Sequence, residues 1–222
     1  MPSEKETSSV IGILKKRRKE FVVPALTEIA ERSNDPYKVL ISCILSLRTR
    51  DETTARVSEA LYSVAETPEE IGKMPLAKLA AIIRPVNYYK TKARRIKAMS
   101  KLIHEKYDGK VPSDMDSLLA LKGVGRKTAN IVMVYGFKKP GLPIDTHCHR
   151  IPNRLGWVKT KTPEKTEEAL RQIIPKRYWM DLNDLFVQFG QNICTPRNPK
   201  CGRCPLTKNC KYYKEVYMGT KS

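Results

Sequence analysis

A lysine that follows two glycines, and an aspartate eighteen residues further on, are the residues of this chain best suited to chemistry. Residues 121–129 have the sequence LKGVGRKTA, and their glycines allow a tight turn whose backbone amides can grip a phosphate. Lys127 supplies an amine directly after this turn, and Asp145, in the segment PIDTH, supplies a carboxylate. Together these groups predict an enzyme that attacks a nucleotide within DNA.

The glycine turn predicts a helix-hairpin-helix. Leucines at 118, 119 and 121 precede it, and a second apolar run at 131, 132 and 134 follows it. A hairpin of this kind binds a phosphate without reading bases. An ordinary helical turn is the alternative, and the basic composition of the chain favours DNA binding. The predicted DNA contacts of the turn are Gly123, Val124, Gly125 and Arg126.

Lys127 and Asp145 each have two interpretations from local sequence. The positive end of a helix, the neighbouring Arg126 and partial burial should lower the pKa of the Lys127 amine and make it nucleophilic. A lysine that only binds phosphate fits the same position. Asp145 suits an N-cap as well as a catalytic carboxylate. Neither residue decides the function without the other.

The charge of the chain indicates a polyanionic partner. Forty-two Lys and Arg against twenty-three Asp and Glu give a formal net charge of +19 on 222 residues. Counterion release should therefore make binding to nucleic acid strong and sensitive to salt. A basic protein without enzymatic activity, such as a ribosomal one, has the same composition. Charge thus predicts the class of partner and leaves the chemistry open.

Four cysteines near the carboxy terminus predict a metal centre. Cys194, Cys201, Cys204 and Cys210 are separated by six, two and five residues, in a loop rich in Pro, Lys and Arg. Clustered thiolates in an apparently cytosolic protein indicate metal more often than disulfides. Structural zinc usually shows two close cysteine pairs, whereas this spacing has one, so an iron–sulfur cluster is the better interpretation.

The elements that must position these groups are helices. Asp35 and Pro36 begin a run that is apolar on nearly every side up to residue 47, as in a central buried helix. Residues 67–70 predict a capping box, and Asp51 an N-cap. Further stripes mark one helix before Gly109 and another that buries four apolar residues: Val57, Ala60, Leu61 and Val64. The prediction is an all-α fold.

Composition changes after residue 139, where prolines become frequent and most of the cysteines lie. A domain boundary is predicted there. The first nine residues are polar, and no apolar run approaches the ~20 residues needed to span a bilayer. We therefore expect a soluble, intracellular protein without a membrane partner, in the cytoplasm or nucleoid if the source is a prokaryote.

The three motifs together resemble those of the endonuclease III family of DNA glycosylases. The resemblance covers roughly residues 25–213, and it rests on the GVGRKTA turn, the DTH segment and the cysteine spacing. It implies two helical domains with a DNA groove between them. Residues 27–139 would form a six-helix barrel with the hairpin, and residues 1–26 with 140–222 would form a [4Fe-4S] cluster domain. By the same resemblance, Lys127 and Asp145 are catalytic and the four cysteines bind the cluster.

The resemblance also implies contacts to double-stranded DNA outside the hairpin. Arg48 stands where the family commonly has a glutamine that fills the gap left by a flipped base, and Tyr88 where a wedge residue is usually aliphatic. Tyr88 as a packing aromatic is the alternative. His147 and two residues of the cluster loop, Arg197 and Lys200, are further predicted contacts. Arg48 should alter the preference for the opposite base.

The implied activity is base excision with strand cleavage. Lys127 attacks the anomeric carbon of a damaged nucleotide, and β-elimination then cleaves the strand 3′ to the abasic site. We expect oxidised pyrimidines such as thymine glycol as substrates, and a monomer. A mismatch-directed uracil or thymine glycosylase is one alternative, and a non-catalytic DNA-binding iron–sulfur protein is another.

Overall fold

The computed structural model describes residues 2–21 and 23–219, and within them the chain forms helices and no β-strand. The α-helices are α1 (Glu4–Arg17), α2 (Ala25–Ser33), α3 (Pro36–Ser46), α4 (Asp51–Tyr62), α5 (Pro68–Lys73), α6 (Leu76–Ile82), α7 (Tyr89–Lys106), α8 (Met115–Ala120), α9 (Arg126–Ile131), α10 (Thr146–Leu155), α11 (Pro163–Ile173) and α12 (Trp179–Asn192). Short 3₁₀ segments and two π-helical segments, Val132–Gly136 and Tyr213–Tyr217, complete the fold. The predicted all-α class is confirmed.

The chain separates into two units. Residues Pro24–Lys139 form one, called here the central unit, and Met1–Val23 with Pro140–Ser222 form the other, called the terminal unit. Met1, Val22 and residues 220–222, which the predicted domain ranges include, lie outside the described residues. No helix within the described part of the chain is long and apolar enough to cross a bilayer.

Helix α3 is the core of the central unit. Asp35 caps it by accepting a 2.8 Å hydrogen bond from the amide of Tyr37, and Pro36 is its first residue. Every residue from Val39 to Leu45 is buried, so the helix has no solvent face, as its sequence predicts. Helices α2, α4, α7 and α9 pack around it. The apolar pattern of α3 is explained by this enclosure.

The neighbouring helices confirm some predicted boundaries and correct others. Thr67 and Glu70 form the predicted capping box of α5. Helix α4, however, is capped by the backbone of Arg50, and Asp51 is its first residue, so the prediction that Asp51 is the N-cap was wrong. Ala60 is exposed and Val64, which lies beyond the end of α4, is 49% exposed, so the buried stripe is narrower than predicted.

The terminal unit joins the two ends of the chain. Helix α1 packs against α12, and its side of the shared core consists of Val10, Ile11 and Leu14. Helix α10 packs against both α11 and α12. This arrangement places the start of α10, which follows Asp145, and the segment after α12, which carries the four clustered cysteines, within one unit.

Candidate functional site

The glycine turn forms a hairpin between α8 and α9. Gly123 adopts φ +94°, a left-handed conformation that favours glycine, and a Cβ atom built on it would lie 2.5 Å from Cδ of Arg95. The amide of Val124 donates a 2.9 Å hydrogen bond to the carbonyl of Leu121, and its side chain is buried. Val124 therefore shapes the turn, while Gly125 begins α9 without any side-chain cap.

Lys127 lies in the first turn of α9, as predicted. Its side chain is exposed, so the expected partial burial was wrong: an early position on this helix leaves the amine facing solvent. No hydrogen bond or ion pair to any described residue engages it. The amine lies close to the buried thiol of Cys43: burial raises the pKa of that thiol, and the Lys127 charge acts in the opposite direction. Cys43 is a core residue, as predicted.

Arg48 and Tyr88, predicted as DNA contacts from separate segments, lie against each other in the central unit. Nη1 of Arg48 donates to the Tyr88 hydroxyl at 3.3 Å, and the guanidinium carbon is 5.9 Å from the centre of the ring. Both residues are exposed, Tyr88 by 63%, and both adopt left-handed backbone conformations, with φ +56° and +59°. The side-chain amide of Asn87 donates to the carbonyl of Arg48.

A lysine that sequence reasoning missed holds the backbone beneath Arg48. Lys92, on α7, is 5% exposed, and its Nζ donates to the carbonyls of Leu45 and Leu47, each at 2.7 Å, and to Oγ1 of Thr49 at 3.1 Å. Burial lowers the pKa of Lys92 to about 8. Its place in the apolar period of α7, at the same helical face as Ile96 and Met99, was the available signal.

Asp145 caps helix α10 of the terminal unit. Its Oδ1 accepts hydrogen bonds from the amides of His147 at 2.9 Å and Cys148 at 2.7 Å. The carboxylate is half-buried. The capping interpretation of Asp145 is thus confirmed, and it leaves a catalytic role open because capping fixes the position of the carboxylate without consuming its charge.

The surroundings of Asp145 contain two positioning residues that the sequence did not reveal. Asn183, buried on α12, donates from Nδ2 to the carbonyl of Pro143 at 3.0 Å, just before Asp145. Arg150 donates from Nη2 to the carbonyl of Cys194 at 2.7 Å and lies 3.0 Å from Nδ1 of His147. His147 is half-buried, and its ring packs on Gly190, where a Cβ would lie 2.3 Å from Nδ1.

All four clustered cysteines line one small, mainly apolar cavity in the terminal unit, and none of the four forms a disulfide. Within residues 2–21 and 23–219, no three His, Cys, Asp or Glu side chains are grouped closely enough to hold a single metal ion. Sulfurs around one zinc lie only about 3.8 Å apart, given a Zn–S bond of about 2.3 Å. Burial raises the pKa of the Cys204 thiol to about 11.

The cluster loop is anchored to α10 through Arg154. Its Nη1 donates to the carbonyl of Thr195 at 2.7 Å and contacts Sγ of Cys194 at 3.4 Å, while Nη2 donates to the carbonyl of Pro196 at 2.9 Å. The guanidinium stacks 4.7 Å above the ring of Tyr212. The side chains of Arg197 and Lys200, the predicted phosphate contacts, are exposed in the same loop.

Comparison with known proteins agrees with this fold and this cysteine cavity. Residues 41–176 match the HhH-GPD superfamily of base excision DNA repair proteins, and residues 194–210 match the iron-sulfur binding domain of endonuclease III. Endonuclease III of Thermotoga maritima is 50% identical over 188 residues, covering 85% of this chain and 88% of that protein.

Solved structures agree as well. A non-covalent endonuclease III–DNA complex is similar with a TM-score of 0.86 and 31% identity, covering 98% of this chain and 100% of that one. A trapped endonuclease III–DNA covalent intermediate is similar with a TM-score of 0.82 and 31% identity, covering 96% and 98%.

The fold and the cysteine cavity define a helix-hairpin-helix base excision repair protein with an iron–sulfur domain. The chain belongs to the endonuclease III family. It is a bifunctional DNA glycosylase and abasic-site lyase that acts on double-stranded DNA, and oxidised pyrimidines are the substrates typical of its family. It carries a [4Fe-4S] cluster, and the predicted family, enzyme class and cofactor are confirmed.

Proposed function

We propose that this enzyme excises thymine glycol and related oxidised pyrimidines with Lys127 as nucleophile and Asp145 as its charged partner. The amine of Lys127 bonds to C1′ of the damaged nucleotide while the bond from C1′ to the base breaks and the base leaves with its electron pair. Asp145 accepts the proton that the Lys127 nitrogen loses so that its neutral amine can attack, or it stabilises positive charge on the sugar. The C1′–O4′ bond of this adduct then breaks, O4′ takes a proton, and a protonated imine forms between C1′ and Lys127. Loss of a proton from C2′ follows, and the C3′–O bond breaks as the 3′ phosphate leaves.

The observation that carries this proposal is the state of Lys127. Its amine is exposed directly after the Gly123–Gly125 turn, and no described residue binds it by a hydrogen bond or an ion pair. A lysine with a structural task is normally held by an acceptor, as Lys92 is. The uncommitted amine is therefore available to a sugar carbon that the hairpin brings close by binding the adjacent phosphate.

Asp145 supports the proposal because its position is fixed. Two backbone amides of α10 hold one carboxylate oxygen, so the group is oriented before substrate arrives. A carboxylate held in place by hydrogen bonds needs no reorganisation when positive charge develops on the sugar. The His147 ring beside it, packed on Gly190, is a proposed DNA contact.

Arg48 and Tyr88 are proposed to act on the helix around the flipped nucleotide. An exposed aromatic ring can stack on a base, and a guanidinium can occupy the gap left in the duplex and hydrogen-bond to the unpaired base. Their mutual contact means that they act together. Lys122 and Arg126 flank the hairpin and add positive charge for the backbone of the DNA.

The cluster is proposed to be held by Cys194, Cys201, Cys204 and Cys210, and its role is to fold the loop that presents Arg197 and Lys200 to phosphates. We assign the central unit, Pro24–Lys139, to the catalytic barrel domain and the terminal unit to the cluster domain. The predicted boundary between residues 26 and 27 lies inside α2. Since the substrate is DNA, we place the enzyme in the cytoplasm or at the nucleoid if the source is a prokaryote.

Borohydride trapping tests the proposed nucleophile. Wild-type enzyme, Lys127→Gln and the matched control Lys122→Gln are incubated with a duplex that contains one thymine glycol, and covalent complexes are counted. Both variants lose one positive charge near the hairpin, but only Lys127→Gln should lose the covalent complex. DNA binding at low salt should weaken similarly in the two variants, since each removes one phosphate-facing charge.

Two other outcomes correct the proposal in different ways. Trapping on an abasic site without trapping on thymine glycol keeps Lys127 as the lyase nucleophile and rejects the proposed base. A mismatch substrate with thymine opposite guanine is then the next duplex to test. A covalent complex that persists in Lys127→Gln rejects Lys127 itself.

A further inference from the structure

Lys92 is a buried cation whose three hydrogen bonds all go to one short segment. The ammonium has three donors. They meet the carbonyls of Leu45 and Leu47 and the hydroxyl of Thr49, and no carboxylate among the described residues pairs with it. Lys92 itself is 5% exposed. All three N–H donors of Lys92 therefore bind acceptors between residues 45 and 49, namely two backbone carbonyls and one hydroxyl.

This segment ends one helix and presents Arg48. Helix α3 stops at Ser46, where carbonyl groups lose their partners within the helix and the macrodipole is negative, so a cation is favourable. Arg48 then adopts a left-handed conformation, which is unfavourable for a residue with a Cβ. Such a conformation persists only where surrounding contacts enforce it. Lys92 from below and Asn87 from the side supply those contacts.

The chemistry of Lys92 explains why lysine is required at this position. Burying an ammonium is unfavourable unless it is fully hydrogen-bonded, and the lowered pKa of Lys92 reflects that cost. An apolar side chain would remove the Nζ donor from the carbonyls of Leu45 and Leu47 and from Oγ1 of Thr49. The left-handed backbone conformation of Arg48, and hence its contact with Tyr88, depends on the hydrogen bonds from Lys92.

We propose that Lys92 is a positioning residue that sets the opposite-base preference of the enzyme by fixing the backbone that presents Arg48 beside Tyr88. The proposal rests on the proposed role of Arg48 in the gap left by the flipped base. Lys92 does not touch DNA in this arrangement. It acts by fixing the backbone of residues 47–49. Its loss therefore leaves the guanidinium of Arg48 without a fixed position.

The chain contains a matched control for this residue. Lys97 lies on the same helix, and its Nζ donates to the carbonyls of Gly72 and Met74 at the end of α5. Lys97 therefore makes the same kind of hydrogen bond, from a lysine amine to backbone carbonyls, at the end of a different helix and away from Arg48. Lys97→Met and Lys92→Met remove equal charge and equal side-chain functions, and both are expected to lower thermal stability.

The experiment compares single-turnover excision of thymine glycol opposite adenine and opposite guanine at saturating enzyme. Lys92→Met should shift the ratio of the two rates in the same direction as Arg48→Ala, by about threefold to tenfold, the range of one net hydrogen bond. The double variant, Lys92→Met with Arg48→Ala, should show no further shift in the ratio. Each single change already removes the same placement of the Arg48 guanidinium. Lys97→Met should leave the ratio unchanged.

Lyase activity on a single-stranded abasic oligonucleotide separates folding from positioning, since that substrate has no opposite base. It should remain near the wild-type rate in Lys92→Met, Thr49→Val and Lys97→Met. Thr49→Val removes only one of the three acceptors and is the substitute if Lys92→Met fails to fold. We expect it to shift the ratio in the same direction by a smaller factor.

The outcomes separate the two proposals. If Arg48→Ala shifts the ratio and neither Lys92→Met nor Thr49→Val does, the positioning role of Lys92 is overturned and that of Arg48 stands. If Arg48→Ala itself has no effect, the gap-filling role of Arg48 is rejected, and the inference about Lys92 is rejected with it. An equal shift in Lys97→Met would show that loss of stability alone changes the ratio, and it also overturns the inference.

Discussion

Nη1 of Arg154 lies 3.4 Å from Sγ of Cys194, so a side chain of α10 touches the first cysteine of the cluster loop. The same guanidinium binds the carbonyls of Thr195 and Pro196. A hydrogen bond to a cysteine sulfur stabilises its thiolate form and orients the ligand. Arg154 thereby couples the folding of the loop to the helix that Asp145 caps.

Arg154→Met should weaken retention of the cluster. The variant keeps the length of the apolar stem but loses three hydrogen bonds to the loop. We expect faster bleaching of the visible absorbance in the presence of an iron chelator and a lower iron content after purification. The matched control is Arg197→Met, which removes an exposed cation of the same loop and should bleach at the wild-type rate while binding DNA more weakly. Equal bleaching in the two variants would contradict the role of Arg154.

The two hairpin glycines should respond differently to alanine. Gly123 has φ +94°, and a Cβ there meets Arg95, whereas Gly125 has φ −95° and nothing lies within 4 Å of an added Cβ. Gly123→Ala should lower the free energy of unfolding by about 1–2 kcal/mol, the cost of a left-handed residue. Gly125→Ala should be neutral in the free protein. Thermal unfolding of both variants measures the difference.

DNA binding distinguishes structure from contact in the same pair. Where a phosphate approaches the backbone closely, even a methyl group at Gly125 should reduce affinity, without any change in stability. Gly123→Ala should reduce both quantities. If Gly125→Ala binds an abasic-site duplex as tightly as wild type, Gly125 does not lie against the DNA.

Asp145 carries two tasks that substitutions can separate. Asp145→Ala removes the cap of α10 and should lower the free energy of unfolding by about 1 kcal/mol. Asp145→Asn retains a carbonyl oxygen that can accept from His147 and Cys148, so most of the stability should remain. Excision should be strongly reduced in both, because each lacks the negative charge. Activity retained in Asp145→Asn with the stability of wild type would reduce Asp145 to a capping residue.

Local sequence patterns predicted much of the fold because their causes are local. The capping box at Thr67, the N-cap at Asp35 and the enclosed helix α3 follow from residue type and period alone. The hairpin before α9 follows in the same way. The spacing of four cysteines predicted an iron–sulfur cluster, and the match of residues 194–210 to an iron–sulfur domain confirms that cofactor. The four cysteines line one cavity, and their assignment as its ligands stays a prediction.

Contacts between distant segments could not be predicted. Arg154 and Arg150 act on the cluster loop about forty residues away in sequence, and nothing in their own neighbourhood distinguishes them from solvated cations. Lys92 is a similar case, since burial of a lysine depends on acceptors that another helix supplies. The expected burial of Lys127 failed for the converse reason: the first residues of α9, Arg126 and Lys127, are exposed, and exposure also depends on distant segments.

The titration of Lys92 gives a signature in the pH dependence of stability. Burial lowers its pKa in the folded state to about 8, whereas a lysine in the unfolded chain titrates near about 10.4. Below pH 8 both states hold the proton, so Lys92 adds no pH dependence. Between pH 8 and about 10.4 the unfolded state binds the proton and the folded state does not. The free energy of unfolding should therefore rise with pH in this window, relative to a protein without the group.

Chemical denaturation of wild type and Lys92→Met from pH 7 to pH 10 measures this effect, since all other titrating groups are common to both proteins. The wild type should be the more stable protein at pH 7, because its three carbonyl and hydroxyl acceptors are satisfied. Its advantage should be constant up to about pH 8 and then increase. Parallel curves throughout would show that the folded protein does not lower the pKa of Lys92. If the stability advantage of the wild type decreased with pH, the three acceptors would favour the charged ammonium more than burial disfavours it.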